Sequence, residues 1–262
     1  MQSGCSNIAP PLNFLLLTAT ISIPQGMGAT AQVDPEVRLQ QYLDAFAYYW
    51  ALPDEAIDGI VLTENSGYDF AAFQAICDAN PCGKRFIPVS TSTDYPSSKG
   101  KGYGEFFMLD QALERLRQEG MPGDTRFWKT TGRLKIRNLA EMTRTAPDTF
   151  TVYGDFRRVP FVGRRLGGNE WVELRLIAMT LDGYDRFFRG HYDDGYVIEQ
   201  PFFDRLYPLY RAGGSGIVPR FRRQPEFVGV SGWSNKNYDG LEYRLKGALR
   251  RNLRRWAPGF WL

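Results

Sequence analysis

Cysteine and histidine are scarce in this chain, and their scarcity removes several kinds of chemistry. The three cysteines, Cys5, Cys77 and Cys82, make no CxxC pair, and an odd, scattered set suits reduced thiols rather than a disulfide framework. A single histidine, His191, removes zinc sites of Cys and His type, and a Ser-His-Asp hydrolase would depend on it alone, without a GxSxG turn to present the serine. Long apolar runs are missing too: residues 12–23 are too few to span a bilayer. They read as a buried first strand. A signal-peptide core with Ala29-Thr30-Ala31 as its cleavage site is the alternative, opposed by the lack of any Lys or Arg before the run and by Pro10 and Pro11 at its start. Excess charge of one sign is also small, since +3 over 262 residues is too little to argue for nucleic acid, and the excess gathers in the tail. No internal repeat or low-complexity tract stands out.

Aromatic residues, by contrast, are plentiful, at 15% of the chain, and their flat apolar faces often line sites for sugars or rings. The length suits one large domain or two small ones, with enough chain to bury a real core. Residues 13–23 predict a parallel-type strand, continuous in apolar residues until Thr18 and Thr20. Asp34-Pro35-Glu36 is a cap, a first-turn proline and an acidic first turn, followed by Leu39, Leu43, Phe46 and Trp50 at helical spacing. Strand, loop and helix in this order open an α/β unit. Residues 57–63 predict a second strand, 70–77 a short helix, and 85–90 a third strand at a sheet edge because of Pro88. Residues 97–104 are loop chemistry, and Phe106, Leu109, Leu113 and Leu116 mark an amphipathic helix. Strands over 149–153 and 171–180 and an aromatic helix with Phe202, Phe203 and Leu206 follow.

Five stretches carry candidate chemistry. Over residues 127–138, Lys129, Arg133, Lys135 and Arg137 crowd about Thr130, Thr131 and Gly132, a set suited to a diphosphate; a solvated basic turn is the bland alternative. Glu64-Asn65-Ser66-Gly67-Tyr68-Asp69 leaves the second strand where ligands collect in open α/β sheets, or else is a capped turn. Lys99, Gly100, Lys101 and Gly102 precede a helix and either receive a phosphate at its N-terminus or form a linker. Asp155 ends a strand ahead of Arg157 and Arg158, a place for a metal-bridged or directly bound diphosphate. Glu199, beside much apolar surface, is either a helix-start carboxylate or a general base of raised pKa. Asp182, Asp185, Asp193, Asp194 and His191 are rival bases. In the tail, Leu241, Leu245, Leu249, Leu253 and Trp256 share a helical face ringed by arginines, which suits an anionic membrane interface or a final helix docked on the core.

The segments NFLLLTATI, VLTENSGYD, KGYGE, KTTGRLKIRN, IEQPFFDRL and FVGVSGWSNKNY, in this order across most of residues 10–240, resemble bacterial glycosyltransferases with a GT-A-like nucleotide-sugar fold found in capsule, O-antigen and exopolysaccharide gene clusters. The resemblance implies an α/β, Rossmann-like domain over residues 1–240 with a central mostly parallel sheet flanked by helices, and a basic amphipathic tail over 241–262. It implies a UDP-sugar or other nucleoside-diphosphate sugar as donor and a saccharide or lipid-linked acceptor, with no nucleic acid. The place of action would be the cytoplasm, peripheral on the inner face of the inner membrane. Thr18, Thr20, Glu64 and Asn65 would hold the nucleoside, Lys129 and Arg133 the diphosphate. Where such enzymes carry Asp-x-Asp for Mn2+ or Mg2+, this chain has Tyr153-Gly154-Asp155, so either Asp155 alone positions a cation or the basic cluster neutralises the leaving group instead. The mechanism implied is inverting displacement, with Glu199 as base. Two alternatives remain: a sugar nucleotidyltransferase, for which Gln25-Gly26-Met27-Gly28 supplies glycines but no cation, and a non-catalytic, membrane-associated carbohydrate-binding module.

Overall fold

The computed structural model describes residues 11–23, 33–162, 164–167, 169–192, 198–229, 238, 240, 247–252, 256–257 and 259–261. In chain order its elements are β1 (Asn13–Ala19), α1 (Pro35–Trp50), β2 (Gly59–Glu64), α2 (Ala71–Ala79), β3 (Arg85–Ser90), α3 (Gly100–Gln118), β4 (Arg126–Thr131), β5 (Lys135–Ile136), α4 (Leu139–Arg144), β6 (Val152–Tyr153), β7 (Phe156–Arg158), β8 (Asn169–Val172), β9 (Leu176–Thr180), α5 (Leu181–Phe187), α6 (Glu199–Ala212), β10 (Ile217–Val218) and β11 (Phe227–Val228). A seven-stranded sheet runs β10-β6-β9-β4-β1-β2-β3. Its β3-β2-β1-β4 half is parallel; β9 lies antiparallel to both β4 and β6. Two short antiparallel pairs, β5 with β11 and β7 with β8, stand apart from it. This is the α/β architecture expected, with a mostly parallel central sheet between two helical layers.

The unbroken apolar run of β1 is explained by burial on both faces. Phe14 and Leu16 pack toward α3, α5 and α6, while Leu15 and Leu17 pack toward α1, α2 and α4. Asp34 caps α1 as predicted, its Oδ1 accepting from Glu36 N at 2.9 Å, with Pro35 in the first turn. β3 is the outer strand, where Pro88 costs no ladder bond on the solvent side. In β2, Gly59 exists for close approach: an added Cβ would lie 2.3 Å from the Arg85 carbonyl oxygen and 2.7 Å from Phe14 Cε1. Gly59→Ala should therefore destabilise by about 1–3 kcal/mol, the usual cost of overpacking, and thermal denaturation should show the midpoint fall by several degrees.

Three expectations need correction. Residues 127–138 do not begin as a surface basic turn: Arg126–Thr131 is β4, in the middle of the sheet between β1 and β9. The charged residues disguised a strand whose Phe127 and Trp128 are completely buried on opposite faces. The single strand expected over 171–180 is broken at Glu173 and Arg175 into β8 and β9, where those side chains pair with one another. The loop expected over 97–104 gives way to helix at Gly100, and the glycines serve packing. A Cβ at Gly102 would meet Ile198 Cγ1 at 2.9 Å, so its absence lets the start of α6 approach α3. Of the tail, residues 247–252 are helical, and Leu241, Leu245 and Leu253 lie outside the described residues.

Candidate functional site

Parallel strands of an α/β sheet end on one edge, and the side chains at that edge form the natural ligand crevice. On β4, alternation points Lys129 to the same side as Phe127, toward α3, and in register with Leu16 of β1. Lys129 is completely buried. A cation inside a sheet is costly unless paired and hydrogen-bonded. Here Nζ lies 2.8 Å from Glu105 Oε1 and donates to the Leu174 carbonyl oxygen at 2.8 Å. Glu105, from the second turn of α3, also accepts from Thr18 Oγ1 at 2.8 Å. One carboxylate thus ties β1 and β4 to α3.

Glu199 opens α6 beside this group. Its pKa is raised, first by burial and then by the charges of Glu173 and Glu105, while Lys129 acts in the opposite direction. Glu173, also buried, behaves differently. Burial alone would raise its carboxyl, but the charge and hydrogen bonds of Arg175, joined by Arg157, outweigh burial and hold it well below the usual carboxylate range. Arg175 Nε donates to Glu173 Oε1 at 2.7 Å, and Arg157 Nη2 lies 3.8 Å from Oε2. Neighbouring carboxyls pushed in opposite directions are the usual sign of divided acid and base roles.

A second group of cations stands at the same edge. Arg38, from α1, is buried and donates through Nε to the carbonyl oxygens of Thr20, at 2.9 Å, and Ile21, at 3.1 Å. Arg133, just after β4, hydrogen-bonds Gln41 Oε1 at 3.2 Å, and both guanidinium groups lie 5.8 Å from the Tyr42 ring centre. Lys101, in the first turn of α3, has its pKa lowered to about 8, by burial and then by the charges of Arg133 and Arg38. Three cations from separate stretches of the chain thus stand close enough that the charges of Arg133 and Arg38 act on Lys101.

The residues singled out in the sequence fall into several separate groups. Thr18, Lys129 and Glu199 come together around Glu105, while Arg133 joins the separate cation group. Thr20 and Asn65 bond one another, Thr20 Oγ1 to Asn65 Oδ1 at 2.7 Å. Glu64 is buried and organises the strand exits, its carboxylate accepting from Ile21 N at 3.1 Å, Ser66 N at 2.8 Å and Tyr68 N at 3.0 Å. Asp155 is 1% exposed with Oδ2 3.0 Å from Arg157 Nη2. Its surroundings are those of a buried ion pair, and among the described residues no set of three acidic, His or Cys side chains is placed to hold a metal. Of the rival bases, Asp182 and Asp185 follow β9, whose end pairs with the start of β4, so they lie on the opposite edge, bonded to Arg117. His191 Nε2 is 2.8 Å from Arg205. Asp193 and Asp194 lie outside the described residues, as do Ala29, Thr30 and Ala31 and the Gln25–Gly28 stretch.

Glu105, Glu173 and Arg38 were not predicted. In sequence Glu105 looks like any acid in a helix start, and Arg38 like any exposed helix residue; only the packing brings them to the crevice. The stretch KGYGE carried a signal for Glu105: Gly102 lets the start of α6 approach α3 and Gly104 makes room for Tyr95.

No family model matches the chain, and no curated protein matches its sequence. Among solved structures, the inositol-1-phosphate CTP transferase of T. maritima superposes with a TM-score of 0.50 at 12% identity, over 92% of this chain and 97% of that one. A mannosyltransferase from Pyrobaculum calidifontis in complex with GDP-Man and Mn2+ gives 0.44 at 14% identity, over 81% of this chain and 57% of its own. A nucleoside-diphosphate-sugar pyrophosphorylase from Vibrio cholerae gives 0.42 at 14% identity, over 75% and 88%. The likeness to the first is one of fold: a Rossmann-like, mostly parallel α/β sheet. Among the described residues no helix is long and apolar enough to cross a membrane.

Proposed function

We propose that the chain transfers a sugar from a nucleoside-diphosphate sugar to a saccharide or lipid-linked acceptor. The observation that carries this reading is the placement of Glu199, a carboxyl of raised pKa, next to Lys129 and Glu105 on the same sheet edge as Arg38, Lys101 and Arg133. The acceptor hydroxyl oxygen would bond to the anomeric carbon as the bond to the diphosphate oxygen breaks. Glu199 would take the hydroxyl proton, and the departing diphosphate would keep the electron pair, its charge met by the three cations. Lys129, enclosed as it is, would fix Glu105 and so the mouth of the crevice rather than touch the diphosphate. The residues around Asp155 suit an ion pair, and no step is assigned to a metal; Mn2+ or Mg2+ would enter with the nucleotide's own phosphates.

A nucleotidyl transfer from a nucleoside triphosphate to a sugar phosphate is the second reading. It is favoured by one observation: a cation that the stretch after β1 lacks in sequence is supplied at the end of β1 by Arg38, whose Nε donates to the Thr20 and Ile21 carbonyl oxygens. The products separate the two, since sugar transfer releases a nucleoside diphosphate and nucleotidyl transfer releases pyrophosphate. Before any turnover assay, thermal-shift titration with nucleoside diphosphates and nucleotide sugars, with and without Mn2+ or Mg2+, should show a concentration-dependent rise. Arg133→Ala and Lys101→Ala should each weaken that binding roughly tenfold, the worth of one charge-assisted bond to phosphate. An unchanged midpoint with every nucleotide, metal present or not, would remove both enzymatic readings.

A further inference from the structure

Glu105 is tied down through one oxygen. Oε1 lies 2.8 Å from Lys129 Nζ and accepts from Thr18 Oγ1 at 2.8 Å. Oε2 meets no donor among the described residues, and it is not enclosed either, since the side chain is 24% exposed while that of Lys129 is completely buried. A carboxylate held by one oxygen on a buried cation and a hydroxyl presents the other in a fixed direction, with little rotamer freedom left to lose when a ligand binds. Its neighbours show what lies around it. Thr18 also accepts through its carbonyl oxygen from Gly132 N at 2.9 Å, which brings the residue before Arg133 against it. Arg38 holds the carbonyl oxygens of Thr20 and Ile21, just past Thr18, and Lys101 precedes Glu105 by one turn on the same face of α3. Toward α6, Gly102 admits Ile198, the residue before Glu199, and Lys129 Nζ reaches the Leu174 carbonyl oxygen, next to Glu173. The charges of Arg133 and Arg38 act on Lys101, and those of Glu173, Glu105 and Lys129 act on Glu199. Glu105 therefore borders both the cation group and the proposed base.

We infer that Glu105 Oε2 accepts a hydrogen bond from a hydroxyl group of the transferred sugar and so selects a donor that carries that hydroxyl. The inference rests on the sugar-transfer reading and names the sugar subsite within it. In a nucleoside-diphosphate sugar the hexose stands between the diphosphate and the attacking oxygen, as Glu105 stands between the cation group and Glu199. The order along the ligand matches the order along the crevice. An ionised carboxylate accepts and cannot donate, so Oε2 distinguishes a hydroxyl from a fluorine or a hydrogen in its place. Lys129 balances the charge of Glu105, and the pair as a whole suits an uncharged hydroxyl better than an ammonium group. A site built to hydrogen-bond a substrate hydroxyl rejects the analogue lacking it more strongly than an apolar pocket rejects one methylene, because its own polar atom is then left unmet. The arrangement also gives Lys129 a use. Enclosed as it is, it keeps the carboxylate ionised and turned, and Glu105 makes the contact.

Isothermal titration of the full chain with UDP, GDP, UDP-glucose, UDP-galactose and GDP-mannose, and with deoxyfluoro analogues of whichever hexose conjugate binds, tests the inference. Glu105→Gln keeps the size of the side chain, but Lys129 and Thr18 both donate to one oxygen, so the amide should place its carbonyl there and its NH2 at the open position. An acceptor becomes a donor. The variant should bind the hexose conjugate about 10–100-fold more weakly and the nucleoside diphosphate within about twofold of the parent. One fluorine substitution on the hexose should cost the parent a similar factor and cost the variant nothing more, as a double-mutant cycle requires of two groups in contact. Because Glu105→Gln strands the buried Lys129 charge, the Glu105→Gln, Lys129→Met pair, which removes both charges, serves as the second variant and should lose the same discrimination. Three binding results would overturn the subsite: equal losses for nucleoside diphosphate and hexose conjugate, parental affinity for every fluorinated analogue, or a fluorine penalty that persists in both variants. Disappearance of the climb of activity with pH in Glu105→Gln would also overturn it, by making Glu105 the base. If hexose conjugates bind and sugar transfer depends on Glu199 while these tests fail, this inference alone falls. If no nucleotide or hexose conjugate binds, the sugar-transfer reading falls and the subsite with it.

Discussion

Glu199→Gln should lower turnover by about 10²–10⁴-fold, the range spanned by removing a general base, while nucleotide affinity and the unfolding midpoint stay close to those of the parent. Glutamine keeps the size and hydrogen-bonding capacity of the side chain at the start of α6 but cannot accept the acceptor's proton. The pH profile adds a second readout. The Glu199 carboxyl is raised by burial and by the charges of Glu173 and Glu105, so its basic form fills in only above the ordinary glutamate range. Activity of the parent should climb with pH through that raised value, and the climb should disappear in the variant. The linked stability effect has a definite sign. Because the folded state holds this proton more tightly than the unfolded chain does, its contribution is complete below the unfolded pKa and lost as pH rises through the folded one. Full turnover in Glu199→Gln would eliminate the residue as base and reopen the assignment toward Glu105.

Arg175→Met should be the most damaging single change to stability. It leaves the Glu173 carboxylate, 3% exposed, with the backbone N–H of residue 175 and Arg157 at 3.8 Å but without its paired guanidinium, and a buried charge deprived of its partner typically costs about 3–5 kcal/mol. Because the Arg175 side chain is itself 27% exposed, the lower end, about 3 kcal/mol, is expected, still a large part of a domain's net stability. Urea denaturation should show the midpoint fall accordingly. The double variant Glu173→Leu, Arg175→Met should recover most of the loss, since removing both charges leaves nothing stranded while Asp155 keeps Arg157. Acid titration gives the complementary test. Glu173 is depressed in the fold, so its stabilisation is complete above the unfolded glutamate pKa and is lost as pH falls through the lower folded value. The double variant should lack this part of the acid dependence. A single variant as stable as the parent would show that water reaches Glu173 and that the ion pair does not hold the break between β8 and β9.

The sequence by itself determined the α/β alternation, because apolar runs bounded by caps and turn residues report burial locally. The run in β1, the Asp34 and Pro35 cap of α1 and the edge proline of β3 all translate directly into elements. It also marked Lys129 and Glu199, a charged residue amid aromatic and apolar neighbours being visible without a fold. Tertiary structure decided the rest. That β4 is central followed from pairing with β1 and β9, which no local pattern in a strand bearing Lys129 and three threonines or arginines announces. Which acids matter was likewise decided in three dimensions. Asp182 and Asp185 are set on the far edge by the antiparallel run of β9, while Glu105 and Glu173 are carried into the crevice by α3 and by the break before β9. The underlying reason is physical: backbone preference and burial are recorded every few residues along the chain, whereas a carboxyl's proton affinity depends on charges brought near it by segments tens of residues away.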